Sequence, residues 1–290
     1  MNHLRNRPHD QDASCAGPFQ DLYVYYFRGR LTADSRTLPD NCIGNWEEEG
    51  DSFLFFSRPA FDQVEALLSH QPQLSYIDSY QMPYEQWLGE IFTTFEHGKF
   101  RVIPPWEETN DSLKAKGDKL DILLDPGLVF GTGTHPTTRD CLEALELAAF
   151  SNAFSTVLDL GTGTGLLALA AAKLGSNGVV AADLNLLAAK TADRNVRLNH
   201  LQNRVIAVQG RAEDMIAYPA DLVIANIHYN VMRRLVNDSG FFTKKNFILS
   251  GLLRSEIKDI VDILARHQVK IIEQWTHGGI WHTIYGQTAL

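Results

Sequence analysis

Cysteine is scarce in this chain of 290 residues, which has three, at Cys15, Cys42 and Cys141. An odd and scattered set argues against a disulfide framework and a cysteine-based zinc site, and it predicts a reducing, cytoplasmic location. Long apolar runs are also lacking, since none approaches the roughly 20 residues of a membrane span. Residues 1–18 are polar, without the apolar centre of a signal peptide, and we expect a disordered tail there.

Basic residues are also fewer than acidic ones, with 26 Lys and Arg against 35 Asp and Glu. The formal net charge is −9, and no dense Lys/Arg stripe is present, so direct binding to nucleic acid is not expected. An acidic protein of this kind would suit a basic protein partner. Four of the ten histidines stand in or near the glycine-rich and C-terminal motifs but lack metal-ligand spacing, so no metal site is expected. These four are His135, His228, His277 and His282.

The order of apolar and polar segments predicts two folded parts. Residues 19–83 show strand, helix and strand patterns of a small α+β domain, with a loop expected over residues 28–51. Residues 84–122 form a connecting region. Residues 123–290 alternate short apolar strands with helices and end in a predicted hairpin, which indicates an α/β, Rossmann-like sheet of seven strands.

A glycine turn opens this α/β part. The run VLDLGTGTGLLALAAAKLG, residues 157–175, indicates a buried strand, a turn and a helix. A dinucleotide fingerprint has the spacing GxGxxG, whereas here the third glycine comes one residue early. An acid followed by GxGxG resembles the loop of S-adenosylmethionine (SAM) methyltransferases, whose cofactor has a cationic amino-acid end. The cofactor contacts so predicted are Asp159, Gly161, Gly163 and Gly165.

Polar side chains stand where the following strands are predicted to end. In open α/β sheets, ligands sit at the carboxyl ends of the strands. Asp183 can accept hydrogen bonds from ribose hydroxyls, and Asp214 from an adenine amino group. Asn226 ends the next strand. Because SAM and NAD both contain ribose, Asp183 alone does not separate them, and an NAD-dependent oxidoreductase stays a weaker alternative.

A second glycine run, FGTGTHPTT at residues 130–138, precedes this loop. Gly131 and Gly133 give flexibility, Pro136 stiffens the chain, and Thr137 or Thr138 can cap a helix predicted over 139–149. A single capping threonine would indicate a plain helix start. Beside a cofactor loop, the whole run favours a lid that excludes water.

These motifs together resemble PrmA-type methyltransferases, the family that methylates ribosomal protein L11. The resemblance covers roughly residues 84–290, and FGTGTHPTT is its most specific string. The other strings are DLGTGTG, VIANI at 223–227 and ILSGLL at 248–253. The resemblance implies SAM contacts at Thr138, Gly161, Asp183 and Asn226, and an N-terminal substrate-recognition domain of ferredoxin-like fold. No clear first helix of such a domain is found between residues 28 and 51.

The expected activity is therefore SAM-dependent N-methylation of a lysine or amine on ribosomal protein L11 or a related protein. Asn226 and His228 are the candidate catalytic residues, since the position after the ANI motif faces the methyl acceptor in that family. For His228, a surface histidine after a strand is an equally good interpretation. Methylation of another protein or a small molecule, and non-catalytic SAM binding, remain the alternatives.

Overall fold

The computed structural model describes residues 19–32, 38, 41–48, 50–89, 91–107, 118–151 and 154–289. The expected tail at residues 1–18, with Cys15, lies outside these ranges. Within them, no helix is both long and apolar enough to cross a bilayer.

The N-terminal part is a four-stranded antiparallel sheet with a helix on one face. Its elements in chain order are β1 (Asp21–Arg28), β2 (Cys42–Glu48), β3 (Asp51–Phe56), α1 (Phe61–Ser69) and β4 (Ser75–Pro83). The strand order is β2-β3-β1-β4. Val64 of α1 packs with Phe27 and Phe56 on one face of this sheet. The predicted α+β character of this part is thus observed, and its exact domain boundaries stay predictions.

The expectation of a loop throughout residues 28–51 is wrong where β2 forms. The segment CIGNWEE contains Gly, Asn and Glu, which have low strand propensity. It becomes a strand because it pairs with β3, placing Trp46 opposite Phe53. Cross-strand pairing, a tertiary effect, therefore overrides the local propensity.

The connecting region is itself structured. Helix α2 (Tyr84–Leu88) is followed by β5 (Phe95–His97), β6 (Phe100–Ile103) and β7 (Leu120–Leu123), and these strands form a second sheet in the order β5-β6-β7. Phe100, Val102 and Ile122 are fully buried in the main hydrophobic core. The region thus belongs to the packing of the larger unit.

The larger unit is built on a third sheet. Its elements in chain order are α3 (Pro136–Ser151), β8 (Thr156–Leu160), α4 (Leu166–Lys173), β9 (Gly178–Asp183), α5 (Leu186–Leu198), β10 (Val205–Gln209), α6 (Ala212–Met215), β11 (Leu222–Asn226), α7 (Tyr229–Leu235), β12 (Asn246–Leu253), α8 (Arg254–Leu264), β13 (Val269–His277) and β14 (Trp281–Thr288). The strand order is β10-β9-β8-β11-β12-β14-β13. Strands β8 to β12 run parallel, and β14 is antiparallel to β12 and to β13. This confirms the Rossmann-like seven-stranded sheet.

Both faces of this sheet are covered, which explains the nearly continuous apolar strands. In β11, Leu222 and Ile224 join the core that α3 and α4 cover, whereas Val223 and Ala225 join the core on the α7 and α8 side. Side chains alternate in this way because successive residues of a strand point to opposite faces.

Helix α3 begins earlier than the sequence indicates. Its first residue is Pro136, and the carbonyl of His135 accepts hydrogen bonds from the N–H groups of Thr138 and Arg139 at 3.1 and 3.3 Å. Proline suits the first helical position because its fixed φ is helical and its missing N–H would be unpaired there. Thr137 and Thr138 thus lie inside the first turn, and the prediction that one of them caps the helix is wrong.

Candidate functional site

The glycine loop follows β8, next to the position where the strand order reverses. Gly161 and Gly163 have φ of +74° and +56°. A Cβ on Gly161 would lie 2.0 Å from Cγ2 of Ile227, and one on Gly163 would lie 2.2 Å from the carbonyl oxygen of Phe130. Only glycine satisfies both the backbone angle and the close approach at these positions.

The two glycine runs of the sequence lie against each other. The N–H of Thr164 donates to the carbonyl of Phe130 at 3.0 Å, and its Oγ1 donates to the carbonyl of Gly131 at 2.6 Å. The FGTGTHPTT segment is therefore fastened to the loop through its backbone. Its closing over a bound cofactor stays a prediction.

A buried amide that the sequence analysis overlooked holds the same region together. Asn195 of α5 is fully buried, and its Oδ1 accepts from the N–H of Asp125 at 2.9 Å. Its Nδ2 donates to the carbonyls of Asp125 and Thr164, both at 2.8 Å. A buried amide with all three bonds made fixes the relative position of three segments. The sequence feature that could have revealed this role is an asparagine on the apolar face of the amphipathic helix α5.

Asp159 lies beneath the loop. It is 1% exposed, and its Oδ2 accepts from Oγ1 of Thr162 at 2.5 Å and from the N–H of Ala168 at 3.1 Å. Burial raises the pKa of Asp159 to about 7, although these two hydrogen bonds act to lower it. The structure thus shows Asp159 bracing the loop from inside, and its contact with a cofactor stays a prediction.

Asp183 ends β9 beside the loop. Its Oδ2 accepts from the N–H of Gly163 at 3.0 Å and its Oδ1 from the N–H of Asn185 at 2.9 Å. Burial raises its pKa, while these two N–H donors lower it. Each carboxylate oxygen has a second lone pair, so the group can also accept from a ligand.

Asn226 ends β11 and meets the start of α3. Its Nδ2 lies 3.4 Å from Oγ1 of Thr137 and 3.4 Å from Oγ1 of Thr138. Both threonines are 1% exposed. The structure thus brings the predicted residues Thr138 and Asn226 together across 88 positions of sequence.

A cavity of about 780 Å³ opens beside Asp183, between β2 of the N-terminal sheet and the larger unit. His228, at the start of α7, is exposed and lines it, as do Asn45 and Trp46 of β2. The Oδ1 atom of Asn45 is buried without a hydrogen-bond partner.

The structure does not bring Asp214 to this cavity. Asp214 is exposed, whereas its neighbour Glu213 lines the cavity and forms ion pairs with Arg211 and Arg234, at 3.3 and 2.8 Å. The predicted adenine contact of Asp214 thus gains no geometric support. Across the residues that the structure describes, no cluster of three or more potential metal ligands occurs.

The N-terminal sheet packs directly against the part of the larger unit that contains the candidate site. Leu22, Val24 and Phe55 pack with Leu128 and Leu187 in one buried cluster. On β2, a Cβ at Gly44 would lie 2.5 Å from Cδ1 of Leu187, the second residue of α5. The wall of the cavity that β2 supplies is thus held close to the turn after Asp183.

The strand order, the glycine loop and the acid at the end of β9 together define the Rossmann-like fold of SAM-dependent methyltransferases. A family model described as ribosomal protein L11 methyltransferase (PrmA) matches residues 65–289, most of the chain. The chain therefore belongs to this family.

Individual relatives agree with the family match. A ribosomal protein L11 methyltransferase of Geobacillus kaustophilus is 39% identical over 184 residues, which cover 61% of this chain and 57% of the relative. A ribosomal protein L11 methyltransferase of Halalkalibacterium halodurans is 39% identical over 174 residues, which cover 59% of this chain and 54% of that relative. The matched region thus spans little more than half of these relatives. A crystal structure of ribosomal protein L11 methylase from Lactobacillus delbrueckii subsp. bulgaricus has a TM-score of 0.59 and 27% identity, covering 68% of this chain and 99% of that one.

Proposed function

We propose that this protein is a SAM-dependent methyltransferase that methylates an amine nitrogen of a protein, with ribosomal protein L11 or a related protein as its acceptor. The observation that carries the proposal is the meeting of the glycine loop, Asp183 and Asn226 at the carboxyl ends of β8, β9 and β11. Ligands of open α/β sheets bind at this edge. Family membership supports the same activity.

The residues present fit SAM. Asp183, with spare lone pairs on both oxygens, would hold the ribose hydroxyls, and the cavity beside it would take the nucleoside end. The glycine loop lets the cofactor approach the backbone, since no Cβ intrudes at Gly161 or Gly163. When bound, SAM supplies a methyl group on a sulfonium cation.

The acceptor side is formed by Asn226 and its surroundings. A lysine amine has an ordinary pKa of about 10.4 and is mostly charged at neutral pH, so it must lose a proton before it attacks. The Oδ1 of Asn226 and backbone carbonyls after it would orient the neutral amine by accepting its hydrogens. Positioning and exclusion of water are then the main contributions of the chain.

The position of His228 supports a role for it in this scheme. It is the residue before α7, two residues after Asn226, and its side chain is exposed on the cavity wall. We assign it to contact with the acceptor segment. A cytoplasmic location, where ribosomal proteins are made, belongs to the same proposal.

The proposal is tested with purified protein, radiolabelled SAM and separated ribosomal proteins. We expect the wild type to bind S-adenosylhomocysteine by calorimetry and to label L11, and we expect no label on L11 when Asn226→Ala replaces it. Label on another protein alone would reject the acceptor but keep the activity. Binding of NAD with no binding of S-adenosylhomocysteine would reject the proposal as a whole.

A further inference from the structure

Asp140 is a buried carboxylate in α3 that no predicted role includes. It is 3% exposed, its Oδ1 lies 2.6 Å from Nε2 of His277, and its Oδ2 accepts from Oγ1 of Thr283 at 2.9 Å. Both partners belong to the C-terminal hairpin β13–β14. Each oxygen of Asp140 thus holds one strand of that hairpin against the helix.

Two buried hydroxyls lie between the hairpin and the first turn of α3. Oγ1 of Thr283 lies 2.5 Å from Oγ of Ser250, which in turn lies 3.2 Å from the carbonyl oxygen of Thr137. Ser250 and Thr283 are fully buried. Because the single hydroxyl hydrogen of Thr283 goes to Asp140, Thr283 accepts the single hydrogen of Ser250, and none is left for the Thr137 carbonyl. Asp140 therefore acts on the first turn of α3 through the helix to which both belong, and Ser250 packs against that turn.

The first turn of α3 meets the candidate transfer site. Thr137 and its neighbour Thr138 face the Nδ2 atom of Asn226, at 3.4 Å each. These two contacts are long for hydrogen bonds, so a small shift of the first turn of α3 would break them. The position of the Asn226 amide thus depends on how firmly that turn is held.

We propose that Asp140 is a positioning residue: held by His277 and Thr283, it fixes the first turn of α3, and through Thr137 and Thr138 it fixes Asn226. The inference rests on the proposed function for its catalytic consequence. Through Asp140, the C-terminal hairpin would influence the transfer site, and the half-exposed side chain of His277 is the part of the hairpin that contacts Asp140.

The decisive variant is Asp140→Asn. The carboxylate offers one oxygen to His277 and the other to Thr283, whereas the asparagine amide has only one oxygen. One of these two donors therefore loses its acceptor oxygen in the variant. We expect kcat to fall about tenfold and KM for SAM to change less than about twofold, since misplacement affects the reacting geometry more than cofactor binding. Glu143→Gln, an equal charge change at an exposed position of the same helix, is the matched control and should leave both constants unchanged.

Variants of His277 separate positioning from general stability. His277→Ala should resemble Asp140→Asn, and His277→Gln, which keeps an N–H donor, should recover most of the lost kcat. The double variant Asp140→Asn/His277→Ala should be no slower than Asp140→Asn alone, because both changes remove the same contact. Additive losses, or an unchanged kcat in Asp140→Asn, would overturn the proposal.

Hydrogen exchange supplies a readout independent of activity. In Asp140→Asn, amide exchange should rise in residues 137–142 and stay unchanged in α8. Unchanged exchange in residues 137–142 would reject the positioning role of Asp140. If the wild type transfers no methyl group to any protein, the proposed function fails, whereas exchange still decides whether Asp140 holds this turn.

Discussion

The backbone N–H of Gly163 donates to the carboxylate of Asp183 at 3.0 Å, so the residue predicted to bind the cofactor ribose also orders the cofactor loop. The two roles are compatible because each carboxylate oxygen can accept more than one hydrogen bond. This relationship links the shape of the loop to the strand that follows it.

Asp183→Ala should therefore weaken S-adenosylhomocysteine binding more than a single lost ligand contact would. We expect the Kd to rise by about 30-fold or more, equivalent to about 2 kcal/mol. Asp193→Ala, which removes an exposed carboxylate from α5, is the control and should bind normally. Equal Kd values for wild type and Asp183→Ala, measured by calorimetry, would contradict the assigned site.

Gly163→Ala tests the close approach of the two glycine runs. The added Cβ would lie 2.2 Å from the Phe130 carbonyl, at φ of +56°, so the loop or the FGTGTHPTT segment must shift. We expect a loss of several kcal/mol in stability or cofactor binding, of the order found for overpacked or strained sites. Gly175→Ala has a positive φ but open space around the Cβ, and it should lower the melting temperature without changing the Kd.

Asp159 makes a prediction about pH. Its folded pKa of about 7 exceeds the ordinary 3.8, so its contribution to stability is full below pH 4 and is lost as pH rises through 7. Asp159→Asn keeps an oxygen for Thr162 and Ala168 but has no charge to bury. Relative to the wild type, this variant should gain stability between pH 4 and 8, by up to about 4 kcal/mol. Parallel unfolding curves across that range would show that Asp159 does not titrate there.

Asp221 should show the opposite dependence. Although burial raises its pKa, Lys245 and the hydrogen-bond donors of Ser155 and Thr156 outweigh this and hold it at about 2. Its contribution is thus present above pH 4 and lost as pH falls through 2. Asp221→Asn should cost about 1–2 kcal/mol at pH 7, as lost charge-assisted hydrogen bonds do. The difference from wild type in chemical denaturation should shrink on acidification, and a difference constant down to pH 2 would contradict this.

Much of the larger unit follows from local signals. The run VLDLGTGTG combines a strand, a turn that only glycine tolerates and a helix, and the structure has β8, the loop and α4 there. Helix α5 runs from Leu186 to Leu198, where an asparagine cap at Asn185 precedes a clear apolar stripe. Local patterns of this kind lead to the same secondary structure whatever packs around them.

Other features could not be predicted because they depend on partners distant in sequence. Strand β2 forms through its pairing with β3, against the propensity of its residues. Asn195 looks like a polar residue misplaced on an apolar face until Asp125, 70 positions earlier, lies beside it. Asp140 likewise has no visible reason to be acidic until His277, 137 positions later, reaches it.

The sequence by itself determined the sheet type, the glycine loop and the acid at the end of β9, since each results from short-range geometry and apolar periodicity. Only the tertiary structure decided what surrounds them. The tertiary structure turned Asp159 inward, left Asp214 exposed, set β2 as a wall of the cavity and brought His277 and Thr283 to Asp140. The reason is physical: which donors meet a given carboxylate depends on how helices and hairpins pack, and that packing joins residues more than a hundred positions apart.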